Sequence, residues 1–480
     1  MSLPQRLLPG LFLCATQSLH AQPLPSEVEA ALARAKVPPD AISVLVVDAR
    51  GLAPARLSHR AEVPVNPASM MKLVTTYAAL DLLGPAFTWS TPVFLDGSVK
   101  DGTLHGNLVI KGQGDPKLVV ERLWLLLRRV RGLGIDTIDG DIVLDRSAFE
   151  LAAQDPAEFD GEPLRPYNAA PDALLLNFKA VVMSFVPDAA NKVARVQFEP
   201  ALFGVQMQNT VALTAGECND YRGALKADFS DPARIRFGGH YPLSCGEKVW
   251  PVAYADPASY SVRAVQAMWR EVGGSITGKV REGKASAGLK PAFELPSPAL
   301  AEVIRDINKY SNNVMAQQLF LTLALQAGGR ADAATGVATA AGAREVVRAW
   351  WKERIARNEG SAGADAPVLD NGSGLSRSSR ISAQALARLL QSAYRSGLMP
   401  ELMSSLPISG VDGTLRRSQS KSPGSAHLKT GSLRGVSGVA GYVDGASGRR
   451  YVFIAIANHA NAAGVRPAVD ALIDWAIKDQ

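Results

Sequence analysis

Residues 40–48 place Ile42, Val44, Leu45, Val46 and Val47 almost without a polar break, the pattern of a buried strand. After Asn66-Pro67 the period changes. Leu73, Val74, Tyr77, Leu80 and Leu83 recur at helical spacing. Asn66 suits the N-cap, Pro67 the first helical position, and Gly84-Pro85 a stop. Ala299, Val303, Ile304 and Ile307 predict a second helix, and Met315, Leu319, Phe320 and Leu323 begin a third. Near the C-terminus, apolar runs at 436–443 and 451–457 flank Asp444-Gly445 and predict an antiparallel hairpin. A last helix follows from Val465, Val469, Leu472, Ile473 and Ile477.

The middle of the chain reads differently. Residues 87–110 alternate in short runs, with Asp96-Gly97 and Asp101-Gly102 as expected turns. A helix is expected over 121–133, a strand over 140–144, several strands over 177–213, a helix over 261–272 and a strand over 275–280. Residues 284–298 are rich in Gly, Ala, Pro and Ser and read as a linker.

A chain of 480 residues is long enough for about three domains of ~150 residues. Its 47% hydrophobic content is ordinary for a globular protein, so burial is not limiting. The formal charge of +6 is mild, and no basic block or basic–aromatic stripe points to nucleic acid. The six histidines form no H-x-x-x-H pair and no cysteine cluster exists, so neither a metal nor a cofactor is expected. Residues 1–21 read as a secretory signal: Arg6, an apolar stretch from Leu7 to Leu13, then Leu19-His20-Ala21. That stretch is short and holds Pro9, so no transmembrane helix is expected. Leu13 is too large for the position before a lipidated cysteine, which favours soluble export over an anchor at Cys14. Cys218 and Cys245 then remain, a pair for a disulfide in an oxidising compartment.

Three strings carry the chemistry: Ser69-Met70-Met71-Lys72, Ser311-Asn312-Asn313 and Lys429-Thr430-Gly431. In this order S-x-x-K, S-x-N and K-T-G are the edges of one acyl-transfer site. Ser69 falls in the first turn of its helix, where a backbone N–H has no partner inside the helix and can face an oxyanion. Lys72 lies one turn on, on the same face. A serine hydroxyl needs a base beside it, and a lysine serves when burial or a second positive charge such as Lys429 lowers its pKa. The second string interrupts two helices and puts Ser311 and Asn313 on a turn. In the third, Gly431 lets another backbone approach, and the N–H of Ser432 can be a second oxyanion donor. A further S-x-x-K, Ser418 to Lys421, sits in a polar stretch and reads as a solvated loop.

With these strings the chain resembles the class C low-molecular-mass penicillin-binding proteins, the D-alanyl-D-alanine carboxypeptidase/endopeptidase family. The wide gap from Ser69 to Ser311 carries the likeness, with Lys111-Gly112-Gln113-Gly114-Asp115-Pro116, Tyr167-Asn168, Leu175-Leu176-Asn177-Phe178, Asp370-Asn371-Gly372-Ser373-Gly374-Leu375-Ser376-Arg377 and Ser409-Gly410-Val411-Asp412-Gly413-Thr414-Leu415. The family often reads D-G-S-G-L-S-R, whereas Asn371 stands directly before Gly372 here. The resemblance implies a periplasmic serine hydrolase that cuts peptide bonds next to D-alanine in peptidoglycan peptides and is covalently inhibited by β-lactams. Ser69 is then the nucleophile, Lys72 its base, Ser311 a proton relay and Asn313 a substrate-orienting amide. Lys429, Thr430, Gly431 and Ser432 bind the substrate carboxylate and complete the oxyanion hole, and Arg377 lies near the substrate. An acidic residue of the insert does so too, Asp155 or, as an alternative, Asp160.

The strings meet only if the chain folds as one discontinuous α+β domain, 22–88 with 289–480: a penicillin-recognising fold with an antiparallel sheet flanked by helices. An inserted α+β domain is expected at 89–174 and 255–288, with a β-rich domain at 175–254 nested in it. Two other readings use the same residues: a β-lactamase or esterase, and a peptidoglycan-binding protein without catalysis. The absence of G-x-S-x-G disfavours an α/β-hydrolase.

Overall fold

In a computed structural model, which describes residues 22–326, 336–356 and 366–479, the first apolar run forms the strand Ile42–Asp48. The expected signal and Cys14 lie outside the described residues. Ile42–Asp48 pairs antiparallel with Arg450–Asn458, with Ile42 opposite Ala457 and Asp48 opposite Tyr451. The sheet is wholly antiparallel, in the order Ala426–Leu433, Val436–Asp444, Arg450–Asn458, Ile42–Asp48, Leu57–His59. Both ends of the chain therefore build it.

Helices cover both faces, which is why Arg450–Asn458 is buried on alternate and intervening positions alike. One face packs Ile454 and Ile456 with Leu73, Val74, Ile304 and Leu319. The other packs Phe453 and Ala455 with Val28, Leu32, Leu472 and Ile473. Each large aliphatic side chain buried there contributes roughly 1.5–3 kcal/mol. The helix Lys72–Leu83 has no polar face, because helices Leu300–Lys309, Asn313–Gln326 and Ala340–Arg354 surround it.

The inserted segment forms a seven-stranded sheet, a five-stranded sheet and a three-stranded one. Val93, Leu108 and Ile142 share one continuous core with Met183, Phe185 and Tyr241, so the nested β-rich part does not have a core of its own. Cys218 and Cys245 are bonded within this part.

Three expectations are corrected. Asp96-Gly97 makes no turn: the ladder from Val93–Ile110 to Lys100–Thr103 is unbroken and closes at Asp101-Gly102, the long hairpin overriding a local preference. Phe293–Pro296, expected in the linker, is a strand paired with Ser90–Lys100, so the insert's sheet reaches past residue 289. The strand expected at 275–280 is two short ones, Ser275–Ile276 and Val280–Gly283, each parallel to a different neighbour.

Candidate active site

The segment carrying Ser69 is a 3-10 turn, Ala68–Met71, and the α-helix opens only at Lys72. Asn66 does not cap that helix. Its Oδ1 accepts from Ala68 N (2.9 Å), its Nδ2 donates to Ser376 O (2.9 Å), and its backbone exchanges two hydrogen bonds with the Asn458 amide (both 3.0 Å). The serine turn is thereby clamped to the end of a central strand. Ala68 holds a left-handed φ of 48°, a strained conformation kept by its surroundings.

Lys72 is fully buried. Its Nζ lies 3.0 Å from Ser69 Oγ, 2.6 Å from Asn313 Oδ1 and 2.6 Å from the Ser373 carbonyl. The last two can only accept. A neutral amine spends its two N–H groups on them and turns its lone pair to Ser69 Oγ, whose O–H then donates to the nitrogen. Burial, and secondly Lys429, push the Lys72 pKa well below the usual lysine value. The arrangement sets an amine of lowered pKa within proton-transfer distance of the Ser69 hydroxyl.

Ser311 lies between the helices Leu300–Lys309 and Asn313–Gln326 with a left-handed φ of 58°. Asn313 opens the second helix, while Asn312 Oδ1 accepts from Met315 N (3.0 Å). Lys429, in the strand Ala426–Leu433, is also fully buried. Its Nζ donates to Ser311 Oγ (2.9 Å) and to the Thr430 carbonyl (2.8 Å), and burial brings its pKa down to about 7. Thr430 Oγ1 lies 2.7 Å from Thr414 Oγ1.

Two glycines let these segments touch. A Cβ on Gly431 would sit 2.5 Å from Pro67 O. One on Gly374, at φ 78°, would sit 1.9 Å from Ala68 O. The loop of Gly374 is held by Asn371, whose Oδ1 accepts from Ser373 N (3.1 Å) and Oγ (2.8 Å) and whose Nδ2 donates to Leu375 O (2.9 Å). The asparagine that departs from the family pattern thus fixes the carbonyl facing Lys72.

A cleft of about 990 Å³ opens over Ser69, Ser311 and Asn313, with Ser432 on one wall and the insert's Phe159, Asp160 and Tyr167 on another. Arg377 also lines it, its guanidinium 4.6 Å from the Phe159 ring centre and 3.1 Å from Arg434 O. Asp155 does not reach this cleft: it lies in a separate depression and accepts from Ala157 N (2.8 Å). Asp160 lies on the wall with Glu158 and accepts from Tyr167 Oη (2.9 Å) and Asn168 Nδ2 (2.8 Å); burial raises its pKa, but these bonds outweigh it and hold the carboxyl below its usual value. A second recess, of about 430 Å³, extends from Ser69 along the Lys429 strand past Thr414, Thr430 and Ser432. The second S-x-x-K is elsewhere: Ser418 donates to Asp470 Oδ1 (2.7 Å), and Lys421 is exposed.

Sequence reasoning gave Asn66 only a capping role, and missed Asn458 and the part played by Ser373. The signal for Asn66 was its place beside Pro67 just ahead of the serine, and for Asn458 a polar residue ending an apolar strand. Ser373 acts through its carbonyl, which has no residue-type signature. Among the described residues no cluster of His, Cys, Asp or Glu is placed to hold a metal, and no helix is long and apolar enough to cross a membrane.

A family model described as "D-Ala-D-Ala carboxypeptidase 3 (S13) family" matches residues 24–478. The D-alanyl-D-alanine carboxypeptidase DacB of Haemophilus influenzae is 27% identical over 402 residues, 82% of this chain and 80% of that protein. A D-alanyl-D-alanine carboxypeptidase of Actinomadura sp. is 28% identical over 400 residues, 80% of this chain and 71% of its own. The crystal structure of penicillin binding protein 4 from H. influenzae superposes with a TM-score of 0.73 over 94% of this chain and 99% of that one, at 23% identity, which shows a shared fold. That protein has also been solved in complex with a β-lactam.

Proposed function

The chain belongs to the D-Ala-D-Ala carboxypeptidase 3 (S13) family of serine peptidases, and from that premise we propose how its residues perform the reaction. Ser69 Oγ attacks the carbonyl of the penultimate D-alanine in a peptidoglycan peptide, and its proton passes to the neutral Lys72 amine. The N–H groups of Ser69 and Ser432 hold the oxyanion. Ser311, tied to Lys429, hands a proton to the leaving amine while Asn313 orients the acyl chain. D-alanine leaves from a carboxypeptidase substrate, and the D-centre of a neighbouring peptide leaves from a cross-link, which adds an endopeptidase activity. Water then hydrolyses the acyl-enzyme, again through Lys72. Penicillins follow the first step, and their ring keeps the leaving group tethered. Arg377 and Asp160 border the acyl side of the cleft. The proposed location is the periplasm, which fits the disulfide.

The observation that carries this reading is the buried Lys72 amine, 3.0 Å from Ser69 Oγ with its other two neighbours able only to accept. Labelling of the purified protein with a fluorescent penicillin tests it. A covalent band is expected in the wild type and none in Ser69→Ala. Retained labelling in that variant sinks the assignment.

A further inference from the structure

Ser311 follows closely on the helix Leu300–Lys309, whose last residue lines neither the cleft nor the recess. The Lys309 side chain is buried, and its ammonium donates to Asp412 Oδ2 (2.5 Å), its ion-pair partner among the described residues. Asp412 is half-buried, and its Oδ1 accepts from Ile408 N (2.8 Å). One carboxylate thus closes the loop 408–415 on itself and ties it to the helix end. Gly413, at φ 55°, lets the two approach: a Cβ there would sit 2.6 Å from Lys309 O. The other side of the loop lies against the strand Ala426–Leu433. Ser409 N donates to Ala426 O (2.9 Å), Leu428 N donates to Pro407 O (2.9 Å), and Thr414 Oγ1 lies 2.7 Å from Thr430 Oγ1. The strand of Lys429 and the turn of Ser311 are therefore joined through this loop by Asp412 and Lys309. A buried ion pair gains little stability over well-packed apolar residues of similar size, but it fixes its partners in direction as well as distance.

We propose that the Lys309–Asp412 pair is a positioning element, which holds the Ser311 hydroxyl against Lys429 for proton delivery to the leaving nitrogen. The inference rests on the peptidase reading above. Lys429 Nζ donates to Ser311 Oγ (2.9 Å), which leaves the Ser311 O–H free to point at the leaving group. As the C–N bond breaks, its electron pair stays on nitrogen. Ser311 gives that nitrogen a proton, and the Lys429 ammonium gives one to the Ser311 oxygen. The attack itself uses Ser69 and Lys72, neither of which bonds to the pair. Loss of the pair should therefore slow the departure of an amine and spare a leaving group that needs no proton.

The test compares a peptide ending in D-Ala-D-Ala with the thiolester of the same acyl group, in which sulfur replaces the leaving nitrogen. A thiolate departs without being protonated, whereas an amine does not. Asp412→Asn leaves the buried Lys309 ammonium without its partner and destabilises the fold. Lys309→Met removes that charge, keeps the apolar stem and leaves Asp412 in contact with water, so it carries the test, with a thermal melt alongside. Lys309→Met is expected to lose roughly 10–100-fold in kcat/KM on the peptide, as for a misplacement of up to about 1 Å. Its kcat/KM on the thiolester stays at the wild-type value. A folded Lys309→Met protein that keeps wild-type peptide turnover, or loses equally on both substrates, overturns the inference alone. A wild type that turns over neither substrate and takes no penicillin label overturns the peptidase reading and this inference with it.

Discussion

Replacing Gly431 by alanine probes whether the approach of strand and serine turn sets the nucleophile's position. The added Cβ would lie 2.5 Å from the Pro67 carbonyl, 3.0 Å from Met70 Cε and 3.3 Å from Ala68 Cβ. The Met70 methyl can swing aside, but the Pro67 carbonyl is backbone of the turn that carries Ser69. An ordinary C···O contact is ~3.3 Å, so strand and turn must part by about 0.8 Å. A misplacement of about 1 Å costs on the order of 100-fold in rate, so penicillin acylation of Gly431→Ala is expected to fall roughly 30–100-fold. Overpacking costs about 1–3 kcal/mol of stability, which leaves the protein folded at room temperature. The assay is the acylation rate in excess fluorescent penicillin, with a thermal melt alongside. Gly132→Ala is the control, because a Cβ there meets nothing within 4 Å. A folded Gly431→Ala protein that acylates at the wild-type rate refutes the reasoning.

Three further outcomes follow from the lysine pair and the disulfide. Acylation by penicillin should have a bell-shaped pH dependence, rising as Lys72 loses its proton far below the usual lysine range and falling through about pH 7 as Lys429 discharges. Lys429→Ala should lose the alkaline limb and move the acid limb upward, and an unchanged profile in that variant excludes the coupling. For stability the sign is the reverse of a salt bridge: between about 7 and ~10.4 the unfolded chain binds the Lys429 proton and the folded one does not. This lysine's contribution to stability therefore rises with pH across that window, as denaturant melts at several pH values would show. Replacing Cys218 and Cys245 by serine opens a loop with a sequence separation of 27 and should cost about 3 kcal/mol. Neither residue lines the cleft, so acylation of the folded variant should be unaffected, and a matched loss of acylation would mean that the insert's folding controls the site.

Much of the frame follows from local pattern. The run 42–48 has to be buried on both sides, and the apolar spacing after Pro67 has to be helical, because hydrophobic periodicity encodes which faces leave water. The three strings announce their chemistry because serine, lysine and amide side chains in that order are residue-type signals. Other features depended on partners far away in the chain. Phe293–Pro296 looks like a linker until the edge of Ser90–Lys100 offers it hydrogen bonds. Asp160 rather than Asp155 lines the cleft because the loop is strapped through Tyr167 and Asn168. The Asn66–Asn458 clamp joins two ends of the chain that only the sheet brings side by side. The Ser373 carbonyl beside Lys72 is also a product of packing. The sequence by itself determined the buried faces, the helix carrying Lys72 and the residue types gathered in the cleft, since each depends on side chains within a few residues. Only the tertiary structure decided the protonation environment and the walls of the cleft. Those are set by backbone carbonyls, burial and long-range register, which no local pattern of residue types records.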